Sequence, residues 1–188
     1  MIPYTTAARA DTGVSNVTLG IWLFLASEVM LFGALFSSYV LLRVAAPVWP
    51  CGLEVLSLPL GATNTATLAV MTGLIWRARS ASWPTARRLM VIGCVLAVMF
   101  LAFKGLEYSV EIRTGRVPSV NTFFATYFTL TGLHALHVIG GLAANVWALS
   151  GVGRVGLEMT GGRIRALSLY WVFVDLVWMI IFLLFYLS

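Results

Sequence analysis

The chain has 188 residues, 60% of them hydrophobic and only 10% charged, with a mean hydropathy of +0.94. Soluble domains are roughly half apolar and about a quarter charged, so this composition excludes a soluble globular protein and assigns the chain to a membrane. The net charge of +5 and pI of about 9.7 do not point to nucleic acid, because most of the excess falls in loops that can lie beside anionic lipid headgroups.

Residues 1–18 carry Arg9 and Asp11 but no short apolar core followed by a small-residue cleavage site, so no signal peptide is expected and the first helix is retained. The first apolar run predicts a transmembrane helix over 19–42, and later runs predict helices over 56–76, 89–108, 122–149 and 167–187. Each approaches or exceeds the ~20 residues that cross a ~30 Å hydrocarbon core at about 1.5 Å per residue. The expected fold is all-α, a polytopic bundle of five transmembrane helices forming one membrane domain over 1–188. A transmembrane barrel is excluded, because its strands alternate over about ten residues whereas these runs are long and apolar on all sides.

Glu28 is the first ionisable group inside a run. Nine residues past Leu19, it lies roughly 12–14 Å deep. In the third helix Lys104 and Glu107, three apart near the outer end, read as an anchoring ion pair, with the lysine able to snorkel to the interface; a role in partner contact or a polar pathway is the alternative. The fourth helix holds both histidines, His134 and His137, three apart on one face. His137, twelve residues before Leu149, lies roughly 18 Å deep, close to the level of Glu28 and of Asp175 in the fifth helix.

Charges at such depth cost at least ~2.5–3.5 kcal/mol, so these groups call for partners. Three readings stay open on the residues alone. The histidines could join Glu28 and Asp175 as metal ligands, handle protons, or tie helices together by hydrogen bonds, Glu28 to a histidine above all. Haem ligation fits poorly, because two histidines on one helix face cannot bind opposite sides of one iron. A small metal-ion or proton transporter using Glu28, His134, His137 and Asp175 is the alternative from another class. Such transporters show repeats or broken helices near the midplane, and the five runs show no repeat and no proline beyond a first helical turn.

The connections carry the remaining signals. All six prolines fall in connections or at a helix start. "GVGRVG" (151–156) matches the dinucleotide pattern, but it follows a membrane helix rather than a strand and is read as a flexible connection. Cys51 and Cys94 are too few and too far apart for a metal framework. The N-terminus and the loops after the second and fourth helices hold eight arginines, against three elsewhere outside the helices, which predicts a cytoplasmic N-terminus and an outer C-terminus. Trp22, Trp76, Trp83, Trp147 and Trp171 fall near the cytoplasmic helix ends, as an interfacial belt would.

Five stretches occur together in order: "GIWLFLASEVMLFGALF" (20–36), "LPLGATNTATL" (58–68), "KGLEY" (104–108), "TGLHALHVIGG" (131–141) and "LYWVFVDLVWMIIFLLFYL" (169–187). They resemble subunit III of the haem-copper terminal oxidases, in a short five-helix bacterial form, over nearly the whole chain. The resemblance implies a non-catalytic subunit docked on subunit I, with no metal, cofactor or catalytic residue of its own. Haem and copper would reside in subunits I and II. It further implies bound phospholipid, a bacterial inner membrane, and a role in stabilising subunit I during turnover and supporting proton uptake. Glu28, in "SEV", corresponds to the family's buried, carbodiimide-reactive glutamate.

Two departures accompany the resemblance. The longer members have two more helices at the start, so the lipid groove is expected to be open here, or completed by a small extra subunit or a larger respiratory supercomplex. Val172 stands where the family often has histidine. Glu28 together with Asn64 and Thr65 favours a cytochrome c oxidase over the quinol-oxidase form, which tends to carry aspartate in place of Glu28 and to lack the "NT" pair. A quinol oxidase or a nitric oxide reductase-associated homologue is the alternative.

Overall fold

The computed structural model describes residues 7–10, 13–150 and 152–187, with side chains described throughout except at 152–159. The described residues form helices and connections without strands: α1 (Asn16–Ala45), α2 (Gly52–Val55), α3 (Leu58–Ala78), α4 (Trp83–Arg113), α5 (Thr122–Ser150) and α6 (Val152–Tyr186). Five helices are long and apolar enough to cross a membrane, α2 being the exception and the apolar span of α6 running over Thr160–Tyr186.

Helix ends follow local chemistry. Ser15 caps α1 through its hydroxyl, which accepts from the Thr18 amide at 3.3 Å. Prolines in the first turns of α3 and α4 sit where the missing N–H has no helical partner. Gly115 ends α4 with φ of +76°, a conformation that costs other residues about 1–2 kcal/mol. There its amide reaches the Ile112 carbonyl at 3.1 Å and the Arg116 amide reaches Glu111 at 2.9 Å, a Schellman closure.

Three boundaries differ from the sequence expectation. The first and third helices run past 19–42 and 89–108 at both ends, because hydrophobicity marks only the hydrocarbon crossing while the backbone ladder continues into the headgroup layer until a cap stops it. The largest difference lies before 167. Val152 onward is helical, so the described part of "GVGRVG" is helix rather than a flexible connection; Gly151 lies outside the described residues. The buried set Thr160, Ile164, Leu167 and Ser168 has helical spacing, giving α6 an inward face well before its most apolar stretch.

α6 is the hub, packed against α1, α3 and α5, while α3 and α4 form a tight hairpin and α4 also meets α5. α1 packs chiefly on α5 and α6 and is the least buried span. Trp171 departs from the interfacial belt expected of it: its ring is fully buried against Gly141. A Cβ at Gly141 would lie 2.6 Å from that ring, so only glycine permits this approach of α5 to α6. Gly141→Ala is expected to lower stability by about 1–3 kcal/mol, read as an earlier thermal transition of the detergent-purified protein.

Candidate functional site

The sequence-predicted polar groups divide among separate sites. Glu28 on α1 meets His137 on α5, with Oε2 and Nε2 2.8 Å apart and both side chains mostly buried. The other ring nitrogen, Nδ1, lies 2.8 Å from the Leu133 carbonyl one turn earlier. A carbonyl oxygen only accepts, so Nδ1 carries a hydrogen and donates it. One further proton lies in the Glu28–His137 contact. If it is on the carboxyl, Glu28 donates to Nε2; if it is on Nε2, the ring donates to the carboxylate. Both arrangements are net neutral, which is what a mid-membrane position demands.

Packing fixes this ring. Phe32 stands edge-on to it at 5.0 Å, and the Tyr170 hydroxyl donates to the His137 carbonyl at 2.7 Å. α1 therefore joins the bundle through the Glu28–His137 contact in the middle and, nearer its C-terminus, the Tyr39 hydroxyl donating to the Leu184 carbonyl at 2.6 Å.

His134 and Asp175 do not join this contact, so the expected four-residue cluster is not formed. His134 points into a different interface, fully buried between Phe100 and Trp178 with ring separations of 5.7 and 5.1 Å. Asp175 lies at the α3–α6 seam beside the Thr72 hydroxyl. The reason is angular: residues three apart on a helix differ by about 60° around its axis, and here that separation sends the two imidazoles to different neighbours. Among the described residues no three His, Cys, Asp or Glu side chains are placed to hold a metal ion.

Lys104 and Glu107 form the expected ion pair at 2.8 Å, but neither is an interfacial anchor. Both are almost wholly buried, 3% and 1% exposed, facing α5 and α6 rather than the headgroups. Lys104 Nζ also donates to Tyr127 Oη at 3.0 Å and Tyr186 Oη at 2.9 Å, so its three N–H groups are all used. Tyr186 donates in turn to the second Glu107 oxygen at 2.6 Å. The rings of Tyr108, Tyr127, Trp178 and Tyr186 lie 4.9–5.5 Å from the ammonium, adding cation–π attraction. Glu111, one turn on and also buried, pairs with Arg116 at 3.3 Å, and Arg116 closes onto the Val55 carbonyl at 2.6 Å. Sequence reading missed Glu111, Tyr127 and Tyr186. The spacing 104, 107, 111 on one face of α4 was the available signal.

On α3, Thr65 accepts a hydrogen bond from Trp178 Nε1 at 3.0 Å and donates to the Gly61 carbonyl at 2.9 Å. Asn64 beside it is fully buried. An apolar groove of about 590 Å³ opens between α1, α5 and α6, reaching from Arg163 and Trp147 at one end to Phe24 and Tyr170, one turn from Glu28 and under His137.

Comparison with known proteins gives this geometry a family. The family model described as "Cytochrome c oxidase subunit III" matches residues 6–188. This chain belongs to that family. Subunit III relatives include the cytochrome bo(3) ubiquinol oxidase subunit 3 of Pseudomonas aeruginosa, 30% identical with 94% of this chain and 87% of the relative aligned. The cytochrome c oxidase subunit 3 of Bacillus sp. strain PS3 is 28% identical, over 98% of this chain and 92% of the relative. A haem-copper oxidase subunit I+III of Aeropyrum pernix is 30% identical over 92% of this chain and 23% of that longer protein. This subunit III is thus a membrane-embedded member of the haem-copper oxidoreductase complexes, built as an all-helical bundle. Its Glu28–His137 contact joins the outermost helix to the bundle through a carboxyl and an imidazole.

Proposed function

We propose that this subunit III is the accessory, non-redox subunit of an aerobic respiratory cytochrome c oxidase in a bacterial inner membrane, with its N-terminus cytoplasmic. It stabilises subunit I and supports proton uptake during turnover, while haem, copper and the chemistry reside in subunits I and II. The observation that carries this reading is the 2.8 Å contact between Glu28 and His137 within the membrane-spanning part of α1 and α5, which helps hold α1 on the bundle. Orientation is supported by the arginine count of the loops. The groove between α1, α5 and α6 supports bound phospholipid: it is apolar throughout except for Arg163 at its mouth, whose guanidinium lies 3.8 Å over Trp147. The exposed face of α1 is where a small extra subunit, or a neighbour in a respiratory supercomplex, would dock.

Glu28, Asn64 and Thr65 favour cytochrome c as the donor. The similarity to quinol oxidase subunits of Pseudomonas aeruginosa and Staphylococcus haemolyticus, 30% and 29% identical, favours the second reading, a quinol oxidase. Gentle purification from the native membrane separates them: co-purification with subunits I and II and oxidation of reduced cytochrome c is the expected result. Oxidation of a quinol alone would establish the second reading. Isolation of the chain with its own metal or haem would overturn both and restore the transporter alternative, for which the four ionisable groups do not converge. In the assembled oxidase, Glu28→Ala is expected to leave the haem spectrum intact while shortening the time over which turnover is sustained. Loss of the haem signal from an assembled complex would contradict an accessory role.

A further inference from the structure

The α3–α4 hairpin end carries a concentration of charge that the proposed function uses only as a sign of orientation. Arg77, Arg79, Arg87 and Arg88 flank its short turn, all exposed, while the chain from Glu54 to Glu107 holds no acidic residue between them. The ion pairs among the described residues involve Lys104, Arg116 and His137, and none of these four arginines. The guanidinium of Arg79 lies 3.9 Å over the exposed ring of Trp76, which holds one cation at the level of an interfacial tryptophan.

Shape and polarity below these charges are those of a lipid rather than of a soluble anion. A surface groove of about 660 Å³ begins at Trp83, Arg87 and Arg88 and continues onto Val91 and Ile92. Val95 and Val98, also exposed, extend that apolar strip down α4. From Arg88 to Val98 the helix rises about 15 Å, which is half of a ~30 Å hydrocarbon core. The turn has a second depression lined by Arg77, Ser80, Ser82 and Thr85, whose hydroxyls suit phosphate oxygens.

We infer that the α3–α4 hairpin end is an anionic-phospholipid site, with Arg87 and Arg88 holding the headgroup phosphate and Val91, Ile92, Val95 and Val98 the acyl chain. It is separate from the α1–α5–α6 groove and does not depend on which oxidase the subunit serves. A zwitterionic lipid would leave the arginines uncompensated. The site therefore selects by net charge, at about fivefold per arginine near the headgroup layer.

The test is native mass spectrometry of the intact complex taken from nanodiscs of equal parts phosphatidylglycerol and phosphatidylcholine. The parent complex is expected to retain phosphatidylglycerol preferentially. Arg87→Gln/Arg88→Gln should reduce that preference roughly 25-fold, while Arg87→Lys/Arg88→Lys keeps most of it. Arg113→Gln, at the other end of α4, removes a charge of the same kind and should leave the preference unchanged. An equal effect of Arg113→Gln, or no effect of the double glutamine variant, would overturn the site. Release of the bound lipid by inorganic phosphate, or by an acidic soluble protein at equal charge, would overturn the assignment to a lipid.

Discussion

Glu107→Ala is expected to lower the stability of this subunit by about 3–5 kcal/mol, enough to prevent its accumulation in the membrane. The substitution leaves the Lys104 ammonium buried among aromatic rings without its carboxylate, and also removes the acceptor of the Tyr186 hydroxyl. Aromatic faces and two phenol oxygens cannot replace a full opposite charge in surroundings from which water is excluded. Lys104→Met is expected to be nearly as damaging, because it strands Glu107. The double variant Lys104→Met/Glu107→Leu should recover much of the loss, since removing both charges removes the need for compensation and leaves mainly the tyrosine hydroxyls short of partners. The checks are the level of folded protein in the membrane and the midpoint of thermal unfolding in detergent. Additive losses in the double variant would show that the two charges are not coupled and that the cluster is held together by its aromatic packing.

The contrast between this cluster and its appearance in sequence shows what a linear reading of a membrane protein can give. Existence and number of spanning helices are legible, because the hydrocarbon core imposes a length and a composition on every crossing. Direction around each helix axis is not. The bundle is apolar inside and outside, so hydrophobic periodicity, which in a soluble protein marks the inward face, carries little information here. Lys104 and Glu107 read in the sequence as an anchoring pair at the lipid edge, and only the presence of Tyr127 and Tyr186 on facing helices shows them to be a buried pair. The same ambiguity covers the histidines: three apart on one helix, His134 and His137 are both candidates for Glu28 in the sequence, yet one imidazole faces α1 and the other faces Phe100 and Trp178. The early start of α6 was hidden for a different reason. Its first turns are rich in glycine and arginine, which composition reads as a loop, whereas their backbone ladder is helical.

Glu28→Ala and His137→Ala are expected to be strongly non-additive, each alone costing about 1–3 kcal/mol and the pair little more than either. Each single change leaves one buried polar group without its partner across the α1–α5 interface, and the second change then removes the orphan. Glu28→Gln distinguishes structure from chemistry at this position. With Nδ1 of His137 committed as a donor to Leu133, Nε2 can accept from the glutamine amide, so the interhelical hydrogen bond survives while the titratable proton is gone. If the contact serves only to hold α1 on the bundle, Glu28→Gln should match the parent in thermal stability and in duration of turnover, with Glu28→Ala impaired in both. If the shared proton itself supports uptake, Glu28→Gln should keep the parent's stability and still lose sustained turnover. Loss of stability in Glu28→Gln equal to that in Glu28→Ala would contradict the hydrogen-bond geometry on which both expectations depend, because an amide of the same shape would then have failed to bridge the helices.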